Sequence, residues 1–197
     1  PGPKDNPVSR RHGFDGKFVV MYSGTISISS NRALERALEA AALLAADKEI
    51  VLVVVGEGLK KGALAAKAAA LGLGNVLFLP FVPYPELPAL LASSDVLLVP
   101  LDREKSDLSV PSKLYTFMAA GRPVLGLASP DSEVAVLLRD NDCGLTALPD
   151  DPGAIAAAVR TLKDAPERRR DLGAHARDYV VRHYAKDAIL RSYDALL

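Results

Sequence analysis

The sequence has no tryptophan, a single cysteine and only three histidines. With one thiol, Cys143, no disulfide can form within the chain, which fits a reducing compartment. Cys143 opens a short Cys-Gly-Leu-Thr run, and His12, His175 and His183 all lie far from it in sequence. It therefore reads as a buried structural residue and not as a nucleophile. Neither sign of charge is in surplus, with 24 Lys and Arg against 24 Asp and Glu. A general nucleic-acid binder needs a basic excess to displace counterions, so the balance argues against that class. The run Arg168-Arg169-Arg170 reads as a solvated helix face in preference to a membrane contact. No apolar run reaches the ~20 residues that span a bilayer. The chain shows no signal-peptide pattern, and Pro1-Gly2-Pro3 reads as a linker. Also missing are a Gly-x-Gly-x-x-Gly fingerprint, a Gly-Lys-Ser/Thr phosphate loop, any metal-ligand spacing of His, Cys, Asp or Glu, and any Ser/His/Asp nucleophile signature.

What is present is an alternation. Residues 1–16 are polar and broken by Pro and Gly, and are expected to be an extended lead-in. Phe18 to Tyr22 is an apolar run without polar alternation, the pattern of a strand buried on both faces. Ala33 to Ala46, after a candidate N-cap at Asn31, places Leu34, Leu38, Ala41 and Leu44 at helical spacing. The cycle recurs with strands at 50–55, 76–79, 95–99, 123–126 and 144–147, and with helices at 64–71, 85–92, 113–120 and 133–139. Helices over 152–164, 167–182 and 185–196 complete the chain. Parallel strands need such crossovers. The expected fold is therefore one α/β domain over 17–197: a doubly wound, mostly parallel Rossmann-like sheet of about six strands flanked by helices, with a helical C-terminal tail.

Ligands of such sheets bind beyond the carboxyl ends of the strands, which directs attention to the loops. In the loop 23–30, Gly24 permits a sharp turn and close phosphate approach, and Thr25, Arg32 and the next helix N-terminus could complete a phosphate site. The same glycine could equally serve only the turn. Loop 100–113 is long and charged, with Ser109 or Ser112 as candidate caps of the helix that Lys113 begins. A lysine there opposes the helix dipole, so it either faces an anionic ligand or is an exposed cation of little consequence. Asp131-Ser132-Glu133 opens a later helix, where acidic residues suit the dipole.

Taken in order, Val19 to Gly24, Val53 to Gly58, Asn75 to Leu79, Ser94 to Pro100, Pro111 to Val124, Cys143 to Leu145, Asp150 to Pro152 and Leu172 to Arg177 resemble one family. It is the C-terminal, nucleotide-sugar-binding domain of GT-B-fold retaining glycosyltransferases, of the kind that build bacterial cell-surface polysaccharides. The resemblance implies a UDP- or GDP-sugar donor and no cofactor or metal. It also implies a saccharide or lipid-linked acceptor held by an N-terminal domain that is absent here, and a cytoplasmic protein with peripheral membrane association open to it. By the same resemblance, Gly24, Thr25, Arg32, Ser109, Ser112 and Lys113 are expected at the donor diphosphate, Asp107, Thr116 and Glu133 at the ribose or sugar, and Phe81 and Val82 at the base. The catalytic residue stays unassigned. Two departures stand out. Leu108 and Thr116 occupy positions where many members carry glutamates, and Thr25 stands where Arg is common. A degenerate binding module, or half of a nucleotide-sugar epimerase, therefore remains an alternative.

Overall fold

A computed structural model describes residues 2–26, 31–103 and 110–194, with backbone only at 31 and 192–194. Six strands, β1 (Phe18–Ser23), β2 (Ile50–Val55), β3 (Val76–Leu79), β4 (Val96–Pro100), β5 (Val124–Leu127) and β6 (Gly144–Ala147), form one sheet. Every pairing is parallel and the order is β3-β2-β1-β4-β5-β6. Strand order thus reverses between β1 and β4, which marks the switch point.

Apolar residues on both faces of each strand explain why the sheet is covered twice. In β1, Phe18, Val20 and Tyr22 join one core cluster, while Val19 and Met21 join the other. The helices, in chain order, are α1 (Pro7–Arg11), α2 (Asn31–Leu44), α3 (Lys61–Ala70), α4 (Leu87–Ala92), α5 (Lys113–Ala119), α6 (Glu133–Asp140), α7 (Pro152–Asp164), α8 (Pro166–Tyr184) and α9 (Lys186–Asp194). Leu34, Leu38, Leu64, Ile155 and Val159 bring α2, α3 and α7 onto the first face. Leu90, Leu91, Leu114, Phe117, Met118, Val134 and Leu138 bring α4, α5 and α6 onto the second. The apolar spacing in each helix sets which side it buries. Cys143 is fully buried within the second cluster, and burial pushes its thiol up to about 11.

The extended lead-in expected for 1–16 is a correction. Residues Pro7–Arg11 form α1, started by a reciprocal cap in which Asn6 Oδ1 accepts from the Val8 and Ser9 amides and Ser9 Oγ accepts from the Asn6 amide. Pro7 is tolerated because it sits in the first turn. Asn6 also donates to the Ala89 carbonyl at 3.0 Å and to Ser93 Oγ at 3.2 Å, tying this segment to α4. Val8 and Phe14 are buried in the second cluster. A smaller difference lies before α4, where Tyr84–Glu86 is a 3-10 turn.

Candidate functional site

The β1–β4 pairing covers only Val20↔Val96 and Met21↔Leu97, whereas β1 and β2 pair over six residues. The sheet therefore parts just before the C-terminal ends of β1 and β4. Beyond the strand ends the ladder continues in glycine: the Gly24 amide donates to the Val55 carbonyl at 3.0 Å, and the Gly56 amide donates to Leu79 at 2.9 Å. Both glycines have φ values disfavoured for other residues, +153° and +143°. A β-carbon on Gly56 would stand 2.0 Å from the Gly24 carbonyl oxygen, so the two backbones can touch only without it.

Across this glycine floor lies Lys113, the first residue of α5. Its Nζ donates to Tyr22 Oη at 2.9 Å and lies 4.3 Å from the centre of the Tyr22 ring. Tyr22 is fully buried at the end of β1 and its hydroxyl donates to the Thr25 carbonyl at 2.7 Å. Among the described residues no carboxylate pairs with Lys113. Burial alone lowers its pKa, to about 8. Lys113 is thus not the exposed cation that one sequence reading allowed. It is a part-buried ammonium with no counterion among the described residues.

One cleft of about 400 Å³ opens over this group. Gly24 from the loop after β1, Ser112, Lys113 and Thr116 at the start of α5, and Phe81, Val82, Tyr84, Leu87 and Leu91 from the β3–α4 segment line it. Phe81 and Tyr84 present their rings to solvent at 51% and 85% exposure, unusual for large aromatics and suited to stacking on a planar ligand. An apolar, aromatic lining with a few polar groups is the usual composition of a small-ligand pocket.

Of the residues expected from sequence, Gly24, Phe81, Val82, Ser112, Lys113 and Thr116 meet in this cleft. Thr25, Arg32 and Glu133 do not line it. Thr25 contributes its carbonyl to Tyr22 from just behind the floor. Arg32 is exposed at the start of α2. The adjacent Ala33 amide, one of the helix-start donors offered to a phosphate, already donates to Asp102 Oδ1 at 2.9 Å. Glu133 is exposed in the first turn of α6, where Ser132 is the cap, accepting from the Ala135 amide. Ser112 stands at the N-cap position of α5 in helical conformation and makes no side-chain capping bond. Ser109, Asp107, Leu108 and Lys105 lie outside the described residues. The sequence missed Tyr22 and Tyr84. Tyr22 carried no signal of its own, since a tyrosine near the end of a buried strand is ordinary. Among the described residues, no three His, Cys, Asp or Glu side chains gather closely enough to hold a metal ion. No helix among them is long and apolar enough to cross a membrane.

A parallel α/β sheet in this strand order, with a cationic, aromatic-walled cleft beyond its switch point, defines a Rossmann-type ligand-binding domain. The chain belongs to the glycosyl transferases group 1 family, whose profile matches residues 17–164. It is 31% identical over 180 residues to the putative colanic acid biosynthesis glycosyl transferase WcaI of Escherichia coli, covering 91% of this chain and 42% of that protein. It is 27% identical over 197 residues to the probable glycosyltransferase WbjE of Pseudomonas aeruginosa, covering 98% of this chain and 47% of that protein. The chain thus spans less than half the length of either relative. Among solved structures it resembles Anabaena Alr3699/HepE in complex with UDP, at a TM-score of 0.78 and 18% identity over 95% of this chain and 51% of that one. It also resembles the C-terminal domain of the group 1 family glycosyl transferase LpcC from Francisella tularensis, at a TM-score of 0.70 and 19% identity, covering 92% of this chain and 94% of that one. At these identities the structural likeness is one of fold.

Proposed function

We propose that this domain holds the nucleotide-sugar donor of a two-domain glycosyltransferase, which passes the sugar from a UDP or GDP conjugate to a saccharide or lipid-linked acceptor in bacterial surface-polysaccharide synthesis. The observation that carries this is Lys113: a part-buried ammonium with no carboxylate partner among the described residues, set in a cleft walled by exposed aromatics. A diphosphate there restores the missing counterion, and the leaving diphosphate in a glycosyl transfer develops charge at the same place. Phe81 and Val82 suit a base, Thr116 offers one hydroxyl to the ribose, and the Gly24 backbone lets phosphate oxygens come close. Family membership supports the reaction class, and so do the relatives, two of them named for glycosyl transfer and more than twice as long as this chain's share of them. The acceptor in this reading sits on a second domain, the reaction uses no metal, and the full protein works in the cytoplasm, at the inner membrane face where its acceptor is lipid-linked. Arg32 and Glu133 need a rearrangement to reach the donor. The test is calorimetric titration of the chain with UDP, GDP and UDP-glucose. Saturable binding of at least one in the micromolar-to-millimolar range is expected. No heat from any of them at millimolar concentration overturns the assignment and favours the reading that Thr116, in the place of a family glutamate, marks a domain that has lost its donor.

A further inference from the structure

Tyr22 has no role in the donor site as described above, yet its hydroxyl is the only polar group among the described residues to which Lys113 Nζ is hydrogen-bonded. The hydroxyl hydrogen is committed to the Thr25 carbonyl at 2.7 Å. Its oxygen is therefore an acceptor, and the lysine donates to it. The chain of bonds runs one way, from ammonium to hydroxyl to carbonyl. It fixes the ammonium to β1, although the lysine itself is carried by α5 on the far side of the switch point. Gly24 completes the seat, because a β-carbon there would lie 2.6 Å from Nζ and 3.3 Å from Tyr22 Oη. A lysine has four rotatable bonds and ordinarily searches a wide volume. This one is held at a single point over the glycine floor.

We propose that Tyr22 is a positioning residue of the donor site: through its hydroxyl it holds the Lys113 ammonium where the donor diphosphate is neutralised, and it keeps that lysine charged. The inference rests on the donor-binding reading above. An ordinary core tyrosine, with its ring packed and its hydroxyl merely satisfied by Thr25, is the competing account. The two differ in what happens to Lys113. On the positioning account, removal of the oxygen frees the ammonium and takes away the acceptor that, among the described residues, it is hydrogen-bonded to. Among the described residues, the groups that face Nζ are Tyr22 from β1 and the backbone at Gly24 from the loop after it.

The experiment compares Tyr22→Phe, Lys113→Ala and the double variant, with UDP as the probe, by calorimetry across pH 6.5 to 9.5. Tyr22→Phe keeps the buried ring, so the fold is expected to hold. We expect it to weaken UDP binding about fivefold near pH 7, the effect of one lost hydrogen bond. The pH at which affinity starts to fall should also move lower. In the double variant the tyrosine change should add nothing to the loss from Lys113→Ala. Unchanged affinity and pH profile in Tyr22→Phe, or losses that simply add, overturn the proposal. Absence of UDP binding by the unaltered chain would count against the donor reading instead. In that case titration of the Lys113 side chain by NMR still decides: a lower pKa in Tyr22→Phe supports the coupling, and an unmoved one removes it.

Discussion

Lys113 Nζ stands 2.6 Å from the point a β-carbon on Gly24 would occupy, so the bare backbone at residue 24 is what makes room for the ammonium. Gly24→Ala must push the lysine away and also force a side chain into φ of +153°. We expect a loss of stability of roughly 1–3 kcal/mol in denaturant unfolding together with loss of UDP binding. A variant as stable as the parent with unchanged affinity would show that the ammonium does not depend on this space.

The burial of Lys113 has a sign that can be checked. Its pKa in the fold is about 8, below the ordinary 10.5. An anion prefers the charged form, so UDP affinity is full below about pH 8 and falls as pH rises through it, by up to about tenfold per unit. The diphosphate of UDP gains negative charge, and loses none, as pH rises, so its own ionisation does not cause the fall. Calorimetry at pH 7 and pH 9.5 measures the difference, and a flat profile would remove Lys113 from the site.

The same burial makes the lysine costly to the empty protein. The unfolded chain binds the proton more tightly, so stability contributed at this position rises with pH between about 8 and 10.5. Lys113→Met keeps the unbranched stem and drops the charge. With allowance for its partial exposure, it should stabilise the chain by about 1 kcal/mol at pH 7, or a few degrees in Tm. The gain should shrink toward pH 10 while UDP binding is lost at every pH. A lower Tm at neutral pH would contradict this.

Asp102 reaches from the end of β4 to the Ala33 amide in the first turn of α2. It caps that helix from a distant part of the chain, and a carboxylate also suits the positive end of the dipole. Asp102→Ala should cost about 1 kcal/mol, and Asp102→Asn, which keeps an acceptor, should cost less. Equal midpoints in urea for all three proteins would show the contact to be incidental.

The segment before β1 offers a test of how far composition misleads. Its polar, Pro- and Gly-containing sequence suggests a loose lead-in, but Phe14 is only 2% exposed. Phe14→Ala should therefore cost roughly 3–5 kcal/mol by opening a cavity in the second cluster, measured by chemical denaturation. A change under 1 kcal/mol would return the segment to the status of a tail.

Strands β1 to β4 were legible because each is a short apolar run closed by Gly or Pro, and the parallel direction of the sheet followed from the helices between strands; the strand order, β3-β2-β1-β4-β5-β6, is visible only in the structure. Helix α1 was not, because five residues give no periodicity. Its signal was local, the Asn6-Pro7-x-Ser9 cap. In the site, Gly24 and Lys113 were found because each breaks a rule of its surroundings, a glycine at a strand end and a cation at a helix start. Tyr22 breaks no rule. A tyrosine is at home at the end of a buried strand, and its importance lies in a contact 91 positions away that no spacing reveals. The Asp102 cap on α2 is hidden for the same reason, since its partner is 69 positions distant.

Two register pairs join β1 to β4, against six between β1 and β2. Mechanically the sheet is two panels, one of β1 to β3 and one of β4 to β6, stitched by a short seam, and Lys113 and Tyr22 are fastened across its open end. A nucleotide gripped there works as a rivet. It would resist the parting of the panels as well as fill a cleft, and the amide of Met21, which points toward β4 as that of Val19 does, would exchange more slowly when it is bound.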